Sequence, residues 1–305
     1  MTRRFKTILW GTAGLLSLVM IQAGQSRTIK MKATQLFYPD LPKELDHYRM
    51  VHISDLHGAR FGRENQSLVR RIMALEPDVV CMTGDMVHGS SDDGEALRNL
   101  VSGLDQKLVK LMVSGNHENG RRTLTGIESL NRATLFDSLT QYNVRLLDGQ
   151  SWQVPGLPLI FSGLPDRQEH YQGLGFNEAR FDPADHLPAP VPDCFNVALV
   201  HRPNYFRSIA RYGFDLMLSG HTHGGVIRIG SKGLLAPERS FFPELDQGLF
   251  AHGAACLHVT SGLGQIWPIP RVNNQPEIAL LVLRRGTKAH PRMKRIAARS
   301  AHRRR

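Results

Sequence analysis

Five short apolar runs, each ending in a small polar motif, constrain the fold of this 305-residue chain most strongly. They are rich in Val, Leu, Ile and Met, as buried strands are, and read RMVHIS, PDVVCMT, VKLMVS, FNVALV and FDLMLS. The motifs that follow them are DLH, GD, GNHE, H and GHTH. Because α/β sheets gather functional groups at the carboxyl ends of their strands, we expect these motifs to meet at one site.

The middle of the chain alternates such apolar runs with helical patterns, which predicts one α/β domain. Apolar residues recur at helical spacing after Asn65, which we expect to cap a helix, and residues 121–141 and 203–211 also have helical patterns. Further strands are predicted at GVIRI, ACLHVT and EIALLVL. His52 alternates within the first predicted strand, so we interpret it as a structural residue.

The residue types in the motifs favour a transition-metal site. Side chains two positions apart in an extended segment face the same way, so His221 and His223 can address one point. The same spacing relates Asp55 to His57. Imidazole combined with carboxylate suits Zn, Mn, Fe or Ni better than Ca, which prefers oxygen ligands. The donors outnumber the ligands of one tetrahedral ion, and a carboxylate such as Asp85 can bridge two ions.

The positive charge of the chain belongs to its two ends. The formal net charge is +11, but residues 1–32 carry six Lys or Arg and residues 284–305 carry ten, with no acid in either segment. Once these charges are removed, residues 33–283 have a net charge of −5. This distribution argues against a basic nucleic-acid groove across the domain.

The amino-terminal segment, residues 1–32, is predicted to direct the chain to a membrane or out of the cell. A basic start, TRRFK, precedes a stretch from Thr7 to Ser26 that has no charged residue. Twenty helical residues span about 30 Å, which matches a bilayer core. The more apolar part, Ile8 to Ile21, has the length of a signal-peptide core, so a cleaved signal peptide and a buried soluble helix are alternatives to an uncleaved anchor. The basic start favours a main domain outside the cytoplasm.

Residues 286–305 form a basic tail with few apolar residues, so we expect it to be disordered. Such a tail is either simply solvated or binds anionic lipid head groups or a polyanionic wall polymer. The folded domain would then occupy residues 33–285, between this tail and the amino-terminal segment.

The motifs DxH, GD, GNHE, H and GHTH, in this order, resemble those of the calcineurin-like metallophosphoesterase superfamily. The resemblance covers about residues 33–285. Within the superfamily, the sequence is similar to a branch of membrane-linked or exported bacterial phosphodiesterases. That branch includes enzymes resembling UDP-2,3-diacylglucosamine pyrophosphatases of lipid A synthesis. The resemblance implies an α/β fold with two mixed β-sheets packed as a sandwich flanked by helices, to which the amino-terminal hydrophobic helix is added.

The resemblance also implies a role for each motif residue. One metal ion would be held by Asp55, His57, Asp85 and His223, and a second by Asp85, Asn116, His201 and His221. His117 would lie beside the phosphoryl group as a general acid or a stabiliser of charge. Two residues depart from the pattern, Val226 where Gln is common and His88 where Asp is common.

The expected activity is hydrolysis of a phosphodiester or pyrophosphate bond by a hydroxide that bridges two divalent cations, with Mn favoured over Fe, Zn or Ni. We expect a monomer that acts at a membrane or, if exported, at the cell wall. A UDP-2,3-diacylglucosamine pyrophosphatase-type enzyme and a nuclease are the alternative enzymes, and a wall-binding module is the non-enzymatic alternative. Segments 164–192 and 230–250 contain aromatic residues that either line a substrate groove or belong to the local core. We expect a place in the local core for Tyr171, Phe176, Phe241 and Phe242.

Overall fold

The computed structural model describes residues 28–89, 92–119, 121–123, 126–128, 132–167, 171–172, 175–176, 181–237, 241–265, 270–288 and 293–296. The predicted amino-terminal hydrophobic helix and residues 289–292 and 297–305 of the predicted tail lie outside these residues. Among the helices of the described ranges, none combines the length and the apolar character that a membrane span requires.

The described part of the chain alternates strands with short helices. In chain order the strands are β1 Lys30–Tyr38, β2 Arg49–Ile53, β3 Val79–Met82, β4 Val109–Met112, β5 Arg121–Thr123, β6 Gly126–Glu128, β7 Val144–Leu146, β8 Ser151–Gln153, β9 Leu159–Leu164, β10 Tyr171–Gln172, β11 Gly175–Phe176, β12 Phe195–Val200, β13 Leu216–Ser219, β14 Arg228–Ile229, β15 Lys232–Gly233, β16 Gly248–His252, β17 Ala255–Val259, β18 Glu277–Arg285 and β19 Lys294–Arg295. The α-helices are α1 Gln66–Met73, α2 Glu95–Gly103, α3 Arg132–Thr140 and α4 Phe206–Tyr212. Short 3-10 turns lie at Lys43–Leu45, Arg63–Asn65, Pro183–Asp185, Pro203–Tyr205 and His223–Gly225.

Two large mixed sheets form the body of the fold. One has the order β1-β18-β2-β3-β4-β7, in which β18 and β2 are antiparallel and the other neighbours are parallel. The other has the order β19-β16-β17-β13-β12-β9-β8, with antiparallel pairs between β16 and β17 and between β8 and β9. The five predicted strands that precede the motifs therefore run in parallel within their sheets, β2 to β4 in one and β12 to β13 in the other.

The two sheets pack face to face over an apolar core. Val79 and Leu111 of the first sheet share one buried cluster with Val197 and Leu218 of the second. Leucines of α1, α2 and α3 cover the outer face of the first sheet, and α4 covers the outer face of the second. This arrangement confirms the predicted sandwich of two mixed sheets flanked by helices.

The further elements predicted from apolar patterns are also present. The runs ACLHVT and EIALLVL correspond to β17 and β18, whereas GVIRI forms only the two-residue strand β14. The helix predicted over residues 203–211 corresponds to the turn Pro203–Tyr205 followed by α4. His52 is buried in β2, where its ring bonds to His258 and to Thr83, each at 2.9 Å, so its role is structural as predicted.

The helix predicted over residues 121–141 is wrong in its first half. Strands β5 and β6 pair there as an antiparallel hairpin, and the helix extends only over Arg132–Thr140. The hairpin satisfies its own backbone hydrogen bonds, and the β-branched Thr123 and Ile127 favour extended backbone over helix.

Asn65 does not cap the following helix with its side chain, contrary to the prediction. Its backbone is left-handed, with a φ of 56°. Its side-chain amide accepts the N–H of Phe61 at 2.7 Å and donates to the carbonyl of Ala96 at 2.8 Å. A buried amide needs partners for both its oxygen and its nitrogen, and these tertiary contacts provide both, whereas a helix cap uses the oxygen alone.

Both predicted boundaries of the domain fall within or beside strands. β1 begins at Lys30, inside the predicted targeting segment 1–32, and pairs with β18 along its whole length. In the predicted tail, β19 pairs with β16, and Nζ of Lys294 contacts Asp246 at 2.9 Å. Because Ile296 is also buried, the predicted disorder of the tail is wrong at residues 293–296.

Candidate metal centre

The predicted site residues lie in the loops at the carboxyl ends of five strands. Asp55 and His57 follow β2, Asp85 follows β3, Asn116 and His117 follow β4, His201 follows β12, and His221 and His223 follow β13. Apart from half-buried Asn116, all of these side chains are buried. The convergence that the sequence predicts is therefore present in the structure.

The turns that carry these side chains have an unusual backbone. Asp55, His57, Asp85, His221 and His223 have φ values of 52°, 47°, 51°, 68° and 47°. The left-handed region is uncommon for residues other than glycine, and holding such a residue in it costs about 1–3 kcal/mol. Five such residues in one place indicate that the turns are shaped by the site and not by local backbone preference.

Asp55, His57 and His223 form a first group of donors, meaning side chains whose oxygen or nitrogen atoms could bind a metal ion. Nε2 of His57 lies 3.1 Å from Nε2 of His223, which in turn lies 3.3 Å from Oδ1 of Asp55. The backbone N–H of His221 donates to both oxygens of Asp55, at 3.1 and 3.0 Å, and fixes that carboxylate. Burial lowers the pKa of both His57 and His223. Burial opposes the charge of Asp55, but His223 beside it holds the pKa of Asp55 below its usual value.

Asp85, His201 and His221 form a second group of donors. Nε2 of His201 is 3.1 Å from Oδ2 of Asp85 and 3.2 Å from Nδ1 of His221. Nδ1 of His201 donates to the carbonyl oxygen of Thr83 at 2.7 Å, which turns Nε2 toward the site. Burial opposes both charges, but the attraction between the two groups lowers the pKa of Asp85 and raises the pKa of His201 to about 10.

Asp85 lies between the two groups of donors. Its Oδ2 is 3.1 Å from Nε2 of His201 and 3.8 Å from Nε2 of His57. Its Oδ1 accepts the backbone N–H of His117 at 2.8 Å, which leaves Oδ2 facing both groups. A carboxylate in this position is placed to bridge two cations.

The donor set fits divalent transition metals. In each group the three ligand atoms lie within 4.8 Å of one another. Because Nδ1 of His201 donates to the carbonyl of Thr83, its Nε2 is the ring atom that can bind a cation, 3.1 Å from Oδ2 of Asp85. Mixed imidazole and carboxylate ligands suit Mn, Fe, Zn or Ni.

Asn116 has a partner at the site that sequence reasoning missed. Its Oδ1 accepts from Nη2 of Arg202 at 3.3 Å, and Nε of Arg202 donates to both oxygens of Asp166 at 3.0 Å. Arg202 directly follows His201 in the run HRPNYF, so adjacency to a predicted ligand was the available signal. The Asp166–Arg202 pair orients the amide of Asn116.

Glu118, part of the GNHE motif but given no role by sequence reasoning, joins two of the motif turns. Its Oε2 accepts the N–H groups of Asp85 and Gly115, each at 2.8 Å. Its Oε1 accepts those of Met86 and Val87, at 2.6 and 3.2 Å. Burial and the neighbouring carboxylate of Asp85 raise the pKa of Glu118 to about 7, against the effect of the N–H of Gly115.

His117 lies at the edge of the donor groups. Its Nε2 is 4.0 Å from Oδ2 of Asp85, and its ring centroid is 4.6 Å from that of His57. The exposed ring of His88 stacks on His117, with centroids 5.4 Å apart and an interplanar angle of 27°. The departure from the family pattern at His88 therefore lies against the predicted general acid.

Two glycines of the motifs allow the chain to pass close to the carboxylates. A Cβ atom on Gly220 would collide with Ser54 and with the carboxylate of Asp55. A Cβ atom on Gly115 would collide with the carboxylate and the backbone nitrogen of Asp85. The glycines of GHTH and GNHE are thus required by packing around the two aspartates.

A sandwich of two mixed sheets with imidazole, carboxylate and amide donors gathered at the strand ends fits a metal-dependent phosphoesterase. Residues 48–225, more than half of the chain, match the calcineurin-like phosphoesterase family, and the chain belongs to that family. It is a hydrolase that acts on phosphoesters.

Curated relatives match most of the chain. It is 26% identical over 253 residues to the uncharacterized metallophosphoesterase YkuE of Bacillus subtilis, covering 80% of this chain and 82% of the relative. It is 29% identical over 248 residues to an uncharacterized metallophosphoesterase of Aquifex aeolicus, covering 80% and 87%. It is 28% identical over 296 residues to the UDP-2,3-diacylglucosamine pyrophosphatase LpxG of Chlamydia trachomatis, covering 82% and 88%.

Proposed function

We propose that the chain is a dinuclear metallohydrolase that cleaves phosphodiester or pyrophosphate bonds with water as the nucleophile. One cation would be held by Asp55, His57, Asp85 and His223, and the other by Asp85, Asn116, His201 and His221. The observation that carries the proposal is that Oδ2 of Asp85 faces Nε2 of His57 at 3.8 Å and Nε2 of His201 at 3.1 Å. Divalent cations, of which Mn is the proposed one, supply positive charge that acidifies bound water and neutralises phosphoryl oxygens.

The chain's own residues hold the reacting groups in place. Backbone N–H groups of His221 and His117 donate to the carboxylates of Asp55 and Asp85, so these carboxylates need little reorganisation during the reaction. The ring of His117 stands at the edge of the donor groups, where it can protonate the leaving oxygen or donate to a phosphoryl oxygen. A positioned general acid typically contributes ~10²–10⁴-fold to the rate.

A lipid-linked pyrophosphate is the second candidate substrate. The similarity to LpxG, which extends over 82% of this chain and 88% of that enzyme, supports an activity of the UDP-2,3-diacylglucosamine pyrophosphatase type. A nuclease is less well supported, because residues 33–283 carry a net charge of −5 and would repel a polyanion.

The proposed place of action is a membrane or the cell wall. It rests on the uncharged stretch from Thr7 to Ser26 and on the basic residues of segment 286–305. An uncleaved anchor would hold the domain on the outer side of the membrane, whereas a cleaved signal peptide would release it to the wall. Protease treatment of intact spheroplasts, followed by immunoblotting, tests the orientation, because only an external domain is then digested.

Hydrolysis of bis(p-nitrophenyl) phosphate tests the reaction class. We expect chelation to abolish nitrophenol release and Mn to restore it. Asp85→Asn, which keeps the shape of the side chain and removes its charge, should abolish release even with Mn present. Asp78→Asn is the matched control, because Asp78 lies at the other end of β3 and accepts the N–H of Arg49 at 2.7 Å. Activity that survives both chelation and Asp85→Asn would contradict the proposal.

A further inference from the structure

Three exposed apolar side chains, Ile229, Phe241 and Phe242, form the apolar patch, on segments that follow the His223 turn and are joined by backbone contacts of Leu234 and Leu235. These side chains are 66%, 70% and 60% exposed, more than any other large hydrophobic residue in the ranges that the structure describes. The expectation that Phe241 and Phe242 belong to the local core is therefore wrong. Clustered exposure of large apolar side chains indicates a surface that another apolar phase covers.

The apolar patch is continuous with the turn that carries His223. The N–H of Leu235 donates to the carbonyl of Gly225 at 3.2 Å, and the N–H of Phe242 donates to the carbonyl of Leu234 at 3.0 Å. A Cβ atom on Gly225 would collide with the backbone of the β14–β15 hairpin, so the hairpin packs directly on the turn. The patch is thus held in a fixed position relative to the donors of the site.

The described chain enters the fold beside a loop that contacts the β14–β15 hairpin. The N–H of Lys30, the first residue of β1, donates to the carbonyl of Pro276 at 2.7 Å. Shortly before Pro276, the carbonyl of Val272 accepts the N–H of Arg228, the first residue of β14, at 2.9 Å. The first strand of the described chain therefore starts beside a loop, residues 272–276, that also contacts the β14–β15 hairpin.

One exposed lysine lies beside the apolar patch and another lies at the start of β1. Lys232 is exposed in the β14–β15 hairpin, next to Ile229, and Lys30 is exposed at the start of β1. Apolar side chains flanked by lysines are the composition that places a surface at the interface of an anionic bilayer. The charge and the chain entry together favour a lipid surface over a protein partner.

We infer that the apolar patch inserts into the head-group region of a lipid bilayer, where Lys30 and Lys232 contact anionic head groups. The inference rests on the proposed function and deepens it, because it names the substrate class. The acyl chains of the substrate stay in the bilayer, and the phosphoryl group reaches the metal centre beside the patch. The substrate is then a lipid phosphodiester or a lipid-linked pyrophosphate.

A fluorophore at a single position tests the insertion independently of the amino-terminal segment. Cys194→Ser leaves only the buried thiols of Cys81 and Cys256, so a polarity-sensitive nitrobenzoxadiazole label can be attached at Phe242→Cys. On addition of vesicles of phosphatidylcholine and phosphatidylglycerol, we expect a blue shift and a rise in emission. The matched control is Val191→Cys, because Val191 is 41% exposed and precedes β12 at the opposite end of the sheet. The label at this position should not respond.

The kinetic arm of the experiment compares two substrates. One is bis(p-nitrophenyl) phosphate in solution, and the other is the p-nitrophenyl phosphodiester of diacylglycerol embedded in the same vesicles. In the variant with Phe241→Ser and Phe242→Ser, the ratio of vesicle to solution rate should fall at least about tenfold, the loss expected when two aromatic side chains no longer enter the bilayer. Val191→Ser should leave the ratio unchanged.

Three results would overturn the inference. The label at position 242 would stay in water when vesicles are added, or the rate ratio would be the same in the serine variant and the unaltered chain. A spectral shift that depends on protein concentration without vesicles would mean that a second copy of the chain covers the patch. If the unaltered chain hydrolysed neither substrate, the proposed function would be rejected instead. A blue shift of the label would in that case still support insertion of the apolar patch into the bilayer.

Discussion

Glu118 accepts the backbone N–H of Asp85 at 2.8 Å, although the two residues are 33 positions apart in the chain. The same carboxylate also accepts the N–H groups of Met86, Val87 and Gly115. Four converging N–H groups are best matched by an ionised carboxylate, which only accepts, and this form of Glu118 predominates above its raised pKa of about 7. Glu118 therefore fixes the turn after β3 to the turn after β4, and with it the relative position of Asp85 and Asn116.

Replacing Glu118 by Gln should destabilise the metal-free protein. The amide group would direct its own donors at two of the four N–H groups, leaving them buried without acceptors. We expect the free energy of unfolding to fall by about 2–4 kcal/mol, measured by urea denaturation. Glu95→Gln is the control, since Glu95 is about half exposed and pairs with Arg60 at 2.7 Å on the surface. A loss in Glu118→Gln no larger than that of the control would contradict this role.

Arg202→Lys should weaken the second cation site without unfolding the protein. Lysine cannot reproduce the planar group that binds Asp166 and reaches Asn116 together, so the amide of Asn116 loses its orientation. Residues that orient metal ligands typically contribute about 10–100-fold to metal affinity, and we expect a loss in that range. Calorimetric titration of the metal-free chain with Mn measures it.

Arg207→Lys provides the matched comparison for Arg202. Arg207 is buried to a similar degree and also pairs with a carboxylate, at 2.9 Å, but its partner is the exposed Glu244 and no proposed metal ligand. Its replacement should leave the Mn affinity unchanged. Equal Mn affinities in the Arg202 variant and the unaltered chain would show that Asn116 needs no such support.

His117→Ala should separate metal binding from turnover. The ring stands at the edge of the donor groups and is not one of the six carboxylate or histidine ligands of the proposed centre, so both cations should remain bound. Turnover of bis(p-nitrophenyl) phosphate should fall by about 10²–10⁴-fold, the usual contribution of a general acid. His47→Ala, at an exposed histidine beside Asp46, should have normal turnover. Loss of metal together with turnover would make His117 a ligand instead.

The parts of the fold that could be predicted from the sequence are those with a local signal. The apolar runs predicted β2, β3, β4, β12 and β13 because each is a short stretch of buried side chains, and the polar motifs that end them met at one edge as expected. β1 was harder to predict, since Lys30 and Lys32 alternate with apolar residues beside the uncharged amino-terminal stretch.

The interactions that sequence reasoning missed join residues far apart in the chain. Arg202 reaches Asn116 across 86 positions, and Glu118 reaches Asp85 across 33. Neither pairing has a repeating pattern, because it depends on which loops the two sheets bring together. The same limit applies to Phe242, whose apolar side chain predicted burial although its position in the loop between β15 and β16 leaves it exposed.

The number of Mn ions bound per chain tests the central claim, that two cations share Asp85. The chain is loaded with excess Mn, separated from free metal by gel filtration and analysed by inductively coupled plasma mass spectrometry. We expect two Mn per chain in the unaltered protein and in Asp78→Ala, and less than one in Asp85→Ala. A single Mn per chain in fully active unaltered protein, or two in Asp85→Ala, would contradict the dinuclear centre.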